Sequence, residues 1–248
     1  MLRVSGLTLA YGATPVLEGA SLDVADGSFV SLVGPSGSGK STLLRAVMGL
    51  QRPTGGSIET GFTRHEIGML FQDDALLPWR RAADNVGLGL KFRGLERRAV
   101  ARVSAEWLER LGLAGLGDRY PRELSGGQRK RVALAQVLAL EPKLLLMDEP
   151  FAALDAIVRA RVSQDLVRLV ESSGISVLLV THDLEEALAL SDGVYLLSQG
   201  PRARISGHYP VTLPRPRDVM KARTHPDFAP LLEALWRDLS REVGGMAA

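Results

Sequence analysis

The 248-residue chain is 46% hydrophobic and 23% charged, enough apolar material to bury the core of one large domain or two closely joined ones. Its formal charge of +2 is too small to require a nucleic-acid partner, although a pI of 9.1 permits contact with acidic lipid surfaces. The absence of cysteine excludes disulfides and thiolate metal sites and suits a reducing compartment, with the cytoplasm as the default. The opening MLRVSGLTLAYG alternates apolar and polar residues and lacks the apolar core and cleavage site of a secretory signal. No apolar run reaches the roughly 18 residues of a membrane span, so work at a membrane is expected to proceed by docking onto an inserted partner.

From Leu2 to Val33, short alternating segments separated by turn residues predict a small antiparallel entry sheet. SFVSLV then runs directly into GPSGSGKST, Gly34 to Thr42, and the following helix carries Leu43, Leu44, Val47 and Met48 on one face. Ile67 to Phe71 predicts another strand, and from Pro78 to Glu123 the texture is helical. In that stretch Val100, Val103, Trp107, Leu108 and Leu111 recur at helical spacing before the stop at Gly112. A second glycine-paired, basic turn follows, LSGGQRKR at Leu124 to Arg131, and Val132 to Leu140 continues as a helix. The nearly all-apolar runs LLLMDE and ISVLLV are of the kind buried between helices in a parallel sheet. From Pro201 to Pro226 the chain is rich in Pro and Arg and predicted irregular. Its last segment is an amphipathic helix whose stripe of Phe228, Leu231, Leu232, Leu235, Trp236 and Leu239 is expected to pack against its own domain.

Chemistry concentrates at four places. Gly34, Gly37 and Gly39 let the backbone curl so that successive N–H groups point at phosphate oxygens beside a helix N-terminus. Lys40 adds a positive charge for the β- and γ-phosphates and the Ser41 hydroxyl can coordinate Mg²⁺. The binding loop thus comprises Gly34, Pro35, Ser36, Gly37, Ser38, Gly39, Lys40, Ser41 and Thr42. LLLMDEP ends a buried strand in Asp148 and Glu149, two carboxylates for the sheet edge where ligands of α/β proteins bind, one to hold Mg²⁺ through water and one to act as general base. Gln72, after the strand GMLF, could sense the metal or the γ-phosphate. His182 projects from a strand-to-helix corner as a γ-phosphate contact, and Asp183 with Glu186 predicts a capping box at the start of the next helix.

In order, GPSGSGKST, Gln72, LSGGQRKR, LLLMDEP, FAALD and His182 resemble the ATP-binding subunits of ABC transporters over nearly the whole chain. The resemblance implies an α/β fold with a P-loop NTPase core, a mainly parallel sheet with flanking helices, a small antiparallel β-subdomain and an inserted helical subdomain. As one ABC ATPase domain, the core would occupy residues 1–77 and 124–225, the helical subdomain 78–123, and a C-terminal helix and tail 226–248. It also implies that the signature residues Leu124, Ser125, Gly126, Gly127 and Gln128 cap the ATP held by a second, antiparallel copy rather than their own. Asp155 would lie on the dimer seam and Tyr11 would stack on adenine. Ala152 stands where many relatives have glycine and Gln136 where many have arginine, and neither change removes a chemical group from the site.

Within that family, FQDDALLPWRRAADNVGLGL and the tail LPRPRD look like subunits of importers of nitrate, taurine and alkanesulfonates, a group that also includes transporters of pyrimidine precursors. The resemblance then implies hydrolysis of Mg·ATP between two copies on the cytoplasmic face of the membrane, driving a permease fed by an extracytoplasmic solute-binding protein. Leu76, Leu77, Pro78 and Trp79 are candidates for permease docking, with burial inside the helical subdomain as the other possibility. The same engine serves exporters and lipid-trafficking systems, so import rests on the neighbourhood of Gln72 and on the tail.

Overall fold

The structure is a computed structural model that describes residues 1–12, 14–152 and 154–244. Ala153, within the FAALD motif, and the four last residues of the expected tail lie outside the described residues. In chain order the elements are β1 (Leu2–Tyr11), β2 (Thr14–Val24), β3 (Phe29–Val33), α1 (Lys40–Val47), β4 (Gly55–Thr60) and β5 (Ile67–Leu70). The helical stretch holds α2 (Ala82–Val86), α3 (Leu88–Phe92) and α4 (Arg97–Arg110). Then come α5 (Gly126–Leu138), β6 (Leu144–Asp148), α6 (Ala156–Ser173), β7 (Ser176–Thr181), α7 (Leu184–Leu190), β8 (Gly193–Leu197), β9 (Ile205–Pro210), α8 (Val219–Ala222) and α9 (Phe228–Gly244).

Two sheets form. The smaller is antiparallel with order β2-β1-β4, and the larger runs β5-β6-β7-β3-β8-β9, parallel except for β9. β3 therefore leaves the entry region and becomes an inner strand of the large sheet, where all five of its side chains are buried. The parallel register aligns Leu70 with Met147, Asp148 with Val180, and Val33 with Thr181, so β5, β6, β7 and β3 deliver their C-terminal residues to one edge.

Period-two alternation divides the large sheet between two cores. Val30, Leu32, Leu144, Leu146, Leu178 and Val180 face the antiparallel sheet and the apolar side of α1. Phe29, Val33, Leu145, Met147, Val177 and Leu179 face the opposite way, onto α5, α6, α7 and the helical subdomain. Within that subdomain Val100, Trp107 and Leu108 are buried as their spacing predicts, and Gly112 turns the chain at φ 69°.

The structure corrects the sequence reading in four places. The third strand of the small sheet is β4, absent from the expectation. The 201–226 stretch is not irregular throughout, because it contributes β9 and α8. α5 begins at Gly126, inside the second glycine turn, rather than after it. α9 packs on the core through Phe228 and Leu235, yet Trp236 from the same stripe is 55% exposed. Among the described residues no helix is long and apolar enough to cross a membrane.

Candidate functional site

The loop between β3 and α1 is shaped by close contacts. A Cβ on Gly34 would stand 2.6 Å from the Leu197 carbonyl oxygen, and one on Gly39, where φ is 97°, would stand 2.7 Å from Val16 Cγ1. Only glycine fits both positions, and the chain can then turn tightly into α1. Lys40 Nζ donates to the carbonyls of Gly34 at 2.8 Å and Pro35 at 2.7 Å, which holds its ammonium across the loop with one donor to spare. Burial lowers the Lys40 pKa, and the charges of Glu149 and Asp148 oppose that shift. Ser38 is fully buried and its Oγ has no partner in the protein. An unsatisfied donor inside a loop of converging amides fits an anionic oxygen ligand.

β6 brings its carboxylates to the same edge. Ser41 Oγ donates to Asp148 Oδ1 at 3.0 Å. Burial raises the Asp148 pKa; the Ser41 hydrogen bond opposes it and the neighbouring Glu149 charge adds to it. No cluster of three or more His, Cys, Asp or Glu suited to a metal occurs among the described residues. The hydroxyl and carboxylate of Ser41 and Asp148 are hard oxygen donors, which fits Mg²⁺, a cation bound through one or two protein groups with phosphate oxygens and water completing its shell.

Glu149 adopts φ 44°, unusual for a residue with a Cβ, and its N–H is tied to the Val180 carbonyl at 2.8 Å. That backbone turn swings its carboxylate toward β7, where His182 Nδ1 lies 3.1 Å from Glu149 Oε2. Beyond His182 only half of the expected capping box exists. Asp183 Oδ1 accepts from Glu186 N at 3.0 Å, but Asp183 N donates to Thr181 Oγ1, and the Glu186 side chain is buried instead of returning to the cap.

Gln72 stands beyond the end of β5 with its side chain exposed and its carbonyl accepting from Lys130 Nζ at 2.9 Å. Lys130 is 3% exposed, also pairs with Asp74 at 3.2 Å, and comes from α5, the helix begun by the second glycine turn. Neither Lys130 nor Asp74 was singled out from the sequence. The signal available was the phase of α5, which turns Lys130 inward while Arg129 remains partly exposed.

The second turn is a capped helix start. Ser125 Oγ accepts from Gln128 N at 3.3 Å and Gln128 Oε1 accepts from Ser125 N at 2.9 Å, so this capping box is complete. Its glycine is packed: a Cβ on Gly127 would lie 2.4 Å from Val158 Cγ1 of α6. α6 itself starts at Asp155, whose Oδ1 accepts from Val158 N at 3.0 Å. Leu124 to Gln128 and Asp155 thus share one neighbourhood, and among the described residues none of their hydrogen bonds reaches the Gly34–Thr42 loop. Tyr11, at the end of β1, is 50% exposed. Of the four docking candidates, Leu76 packs on the helical core, Leu77 is held by the Asn85 side chain, Pro78 is exposed, and Trp79 is 72% exposed. Nearby, Phe71, Asp74, Leu88, Phe92 and Gln136 border a cavity of about 240 Å³.

The family model for ABC transporters matches residues 17–152. The chain is 45% identical over 221 residues to the aliphatic sulfonates import ATP-binding protein SsuB of Pseudomonas fluorescens (strain Pf0-1), covering 87% of this chain and 79% of that protein. It is 42% identical over 220 residues to the taurine import ATP-binding protein TauB of Escherichia coli O157:H7, covering 87% and 86%. Among solved structures, the dimeric post-hydrolysis ATP-binding cassette MJ0796 bound to ADP and Pi superposes with TM-score 0.77 at 30% identity, over 86% of this chain and 100% of that one.

Proposed function

Because the chain belongs to the ABC transporter family, we propose that it is the ATP-hydrolysing subunit of an importer, working as two antiparallel copies that enclose Mg·ATP. The observation that carries this reading is the meeting of four strand ends at one sheet edge, with Ser41 Oγ 3.0 Å from Asp148 Oδ1 and His182 Nδ1 3.1 Å from Glu149 Oε2. In it Lys40 and the loop amides bind the β- and γ-phosphates, and Ser41 with Asp148 hold the metal. Glu149 takes the proton of the attacking water, while His182 orients that carboxylate and contacts the γ-phosphate. Bound Mg²⁺ supplies charge neutralisation on the phosphates. Gln72 reports on the site to its own segment, Tyr11 stacks on adenine, and Asp155 lies at the seam. The capped turn Leu124–Gln128 supplies amides to the partner's nucleotide, since an α-helix start carries unsatisfied N–H groups and partial positive charge.

Import rather than export is favoured because the relatives are named for import of sulfonates and taurine. We propose a small solute of that kind, delivered by an extracytoplasmic binding protein to a permease. This subunit sits peripherally on the cytoplasmic face, with Trp79, Pro78 and the cavity beside Gln72 as the permease contact. Leu76 and Leu77 support that surface from behind. The test is affinity purification from gently solubilised native membranes, with Mg·ATP hydrolysis assayed on the product. Co-purification of a multi-span permease and a solute-binding protein is expected. Lipid-transport subunits, or no membrane partner, would overturn import, and absence of hydrolysis in the assembled complex would overturn the enzymatic reading.

A further inference from the structure

The imidazole of His182 is poorly held by its own surroundings: it is 62% exposed, and among the described residues its ring nitrogens reach only Glu149, at 3.1 Å. Its chain neighbours fix it instead. Thr181 is 3% exposed and its Oγ1 accepts from Asp183 N at 3.1 Å. The two oxygens of Asp183 then divide their work, since Oδ1 accepts from Glu186 N at 3.0 Å and so caps α7, while Oδ2 accepts from Arg159 Nη1 at 3.1 Å. Arg159 reaches across from the start of α6, and His182, Asp183 and Arg159 all border the pocket between α6 and α7. The arginine is braced in turn: its Nη2 donates to the Leu154 carbonyl at 3.2 Å and its backbone N–H to the Asp155 carbonyl at 2.8 Å. One planar guanidinium therefore joins the turn that carries His182 to the turn that carries Asp155, fixing direction as well as distance.

With side chains 33% and 28% exposed, the Arg159–Asp183 pair adds little to folding; what it sets is the relation between two turns. We propose that Arg159 is a positioning residue for hydrolysis: through Asp183 it holds the backbone at His182 so that the imidazole stays on Glu149, and through Leu154 it ties that setting to the Asp155 turn. The proposal rests on the assignment of Glu149 as base and His182 as its partner. Without Arg159, α7 keeps its cap from Asp183 Oδ1, but the carboxylate loses its second anchor and His182 loses the fixed corner from which it reaches Glu149.

The experiment uses Arg159→Met, which keeps an apolar stem and removes every donor. The chain has four histidines, so NMR of the histidine-labelled full chain resolves few signals and His182→Ala identifies the one from His182. In Arg159→Met that signal should move toward its position in Glu149→Ala, where the contact is gone, while the remaining histidines stay in place. In the transporter purified from native membranes, kcat for Mg·ATP should fall about 10- to 100-fold, within the cost of misplacing a reacting group, with KM little changed. Arg159→Met added to His182→Ala should cost nothing further, as for residues that act as a unit. Asp183→Asn keeps an oxygen for the cap and removes the charge that Arg159 pairs with, so it should shift the signal and kcat the same way. It decides the matter if Arg159→Met misfolds. An unmoved His182 signal, undiminished kcat in the folded variants, or a full additional loss on top of His182→Ala would overturn the proposal. Wild-type complex without hydrolysis, or Glu149→Gln turning over like wild type, would instead overturn the assignment of the base, and the His182 signal would still decide whether Arg159 sets that side chain.

Discussion

Nδ1 of His182 lies 3.1 Å from Oε2 of Glu149, which joins the residues that follow two adjacent parallel strands by a direct side-chain contact. The link depends on backbone more than on side-chain length. Glu149 sits at φ 44° and is anchored by its N–H to Val180, so its carboxylate is aimed sideways along the sheet edge toward β7. A residue held in that region at a cost of about 1–3 kcal/mol marks a place where geometry serves the site rather than stability.

Replacing Glu149 by Gln keeps the side-chain volume and a polar partner for His182 but removes the carboxylate proposed as the base. Hydrolysis of Mg·ATP by the assembled transporter should fall by about 10²–10⁴-fold, the range for a positioned general base, while nucleotide binding persists. Unable to turn over, the isolated variant with Mg·ATP should run as a dimer in light scattering. A strictly monomeric mass together with near wild-type turnover would refute both the assignment and the shared-nucleotide arrangement.

Lys130 ties the second glycine helix to the Gln72 segment within one chain, through Asp74 at 3.2 Å and the Gln72 carbonyl at 2.9 Å. Lys130→Met should destabilise the protein by about 2 kcal/mol. This is less than the ~3–5 kcal/mol of a fully buried broken pair, because Asp74 is 25% solvent-exposed and retains Arg129. Thermal melting measures that loss. With the Gln72 segment released, kcat for ATP should drop more than KM rises; unchanged kinetics in a measurably destabilised protein would make the lysine purely structural.

Gly127 is required by packing as much as by any ligand, because a Cβ there would approach Val158 Cγ1 to 2.4 Å. Gly127→Ala should therefore cost about 1–3 kcal/mol through forced separation of α5 and α6. Val158→Ala in the same chain opens the space, so the double variant should melt above Gly127→Ala alone. If the second substitution recovers nothing, the clash is not the cause.

The legible part of the site was the part encoded locally. GPSGSGKST carries its own turn chemistry, and LLLMDE and ISVLLV announce buried strands whose ends must share an edge once they pair in parallel. What escaped depended on tertiary partners. β4 is the sequence GGSIET, glycine or polar at every position but Ile58, and is a strand only because β1 pairs with it. β9, ISGHYP, is an edge strand against β8 with its burial alternating, set in a stretch whose prolines and arginines suggested irregular chain. The capping pattern at Asp183 was read correctly as a helix start. The far end of that box failed because Glu186 is drawn into the pocket between α6 and α7, which no local pattern reveals.

That same burial makes Glu186 a probe of stability against pH. Desolvation pushes its pKa from an ordinary 4.5 up to about 7; the charges of Asp183 and, less strongly, Glu149 add to the shift, while Thr181 and Arg159 oppose it. Between those two values the folded chain holds a proton that the unfolded chain has released. Stability contributed by this group is therefore present below 4.5 and lost as pH rises through about 7. The size is on the order of 3 kcal/mol at most, from 1.36 kcal/mol per unit. Glu66, held near 2 chiefly by its hydrogen bond from Lys143, has the opposite sign, but its window closes by 4.5 and does not overlap. Because Asp148 is shifted in the same direction as Glu186, the informative quantity is the difference between wild type and Glu186→Gln. Urea denaturation should give nearly equal stabilities at pH below 4.5 apart from a constant offset. The variant should gain on wild type as pH is raised to about 8, because an amide cannot ionise. Parallel pH profiles for the two proteins would mean that Glu186 is not the group that titrates.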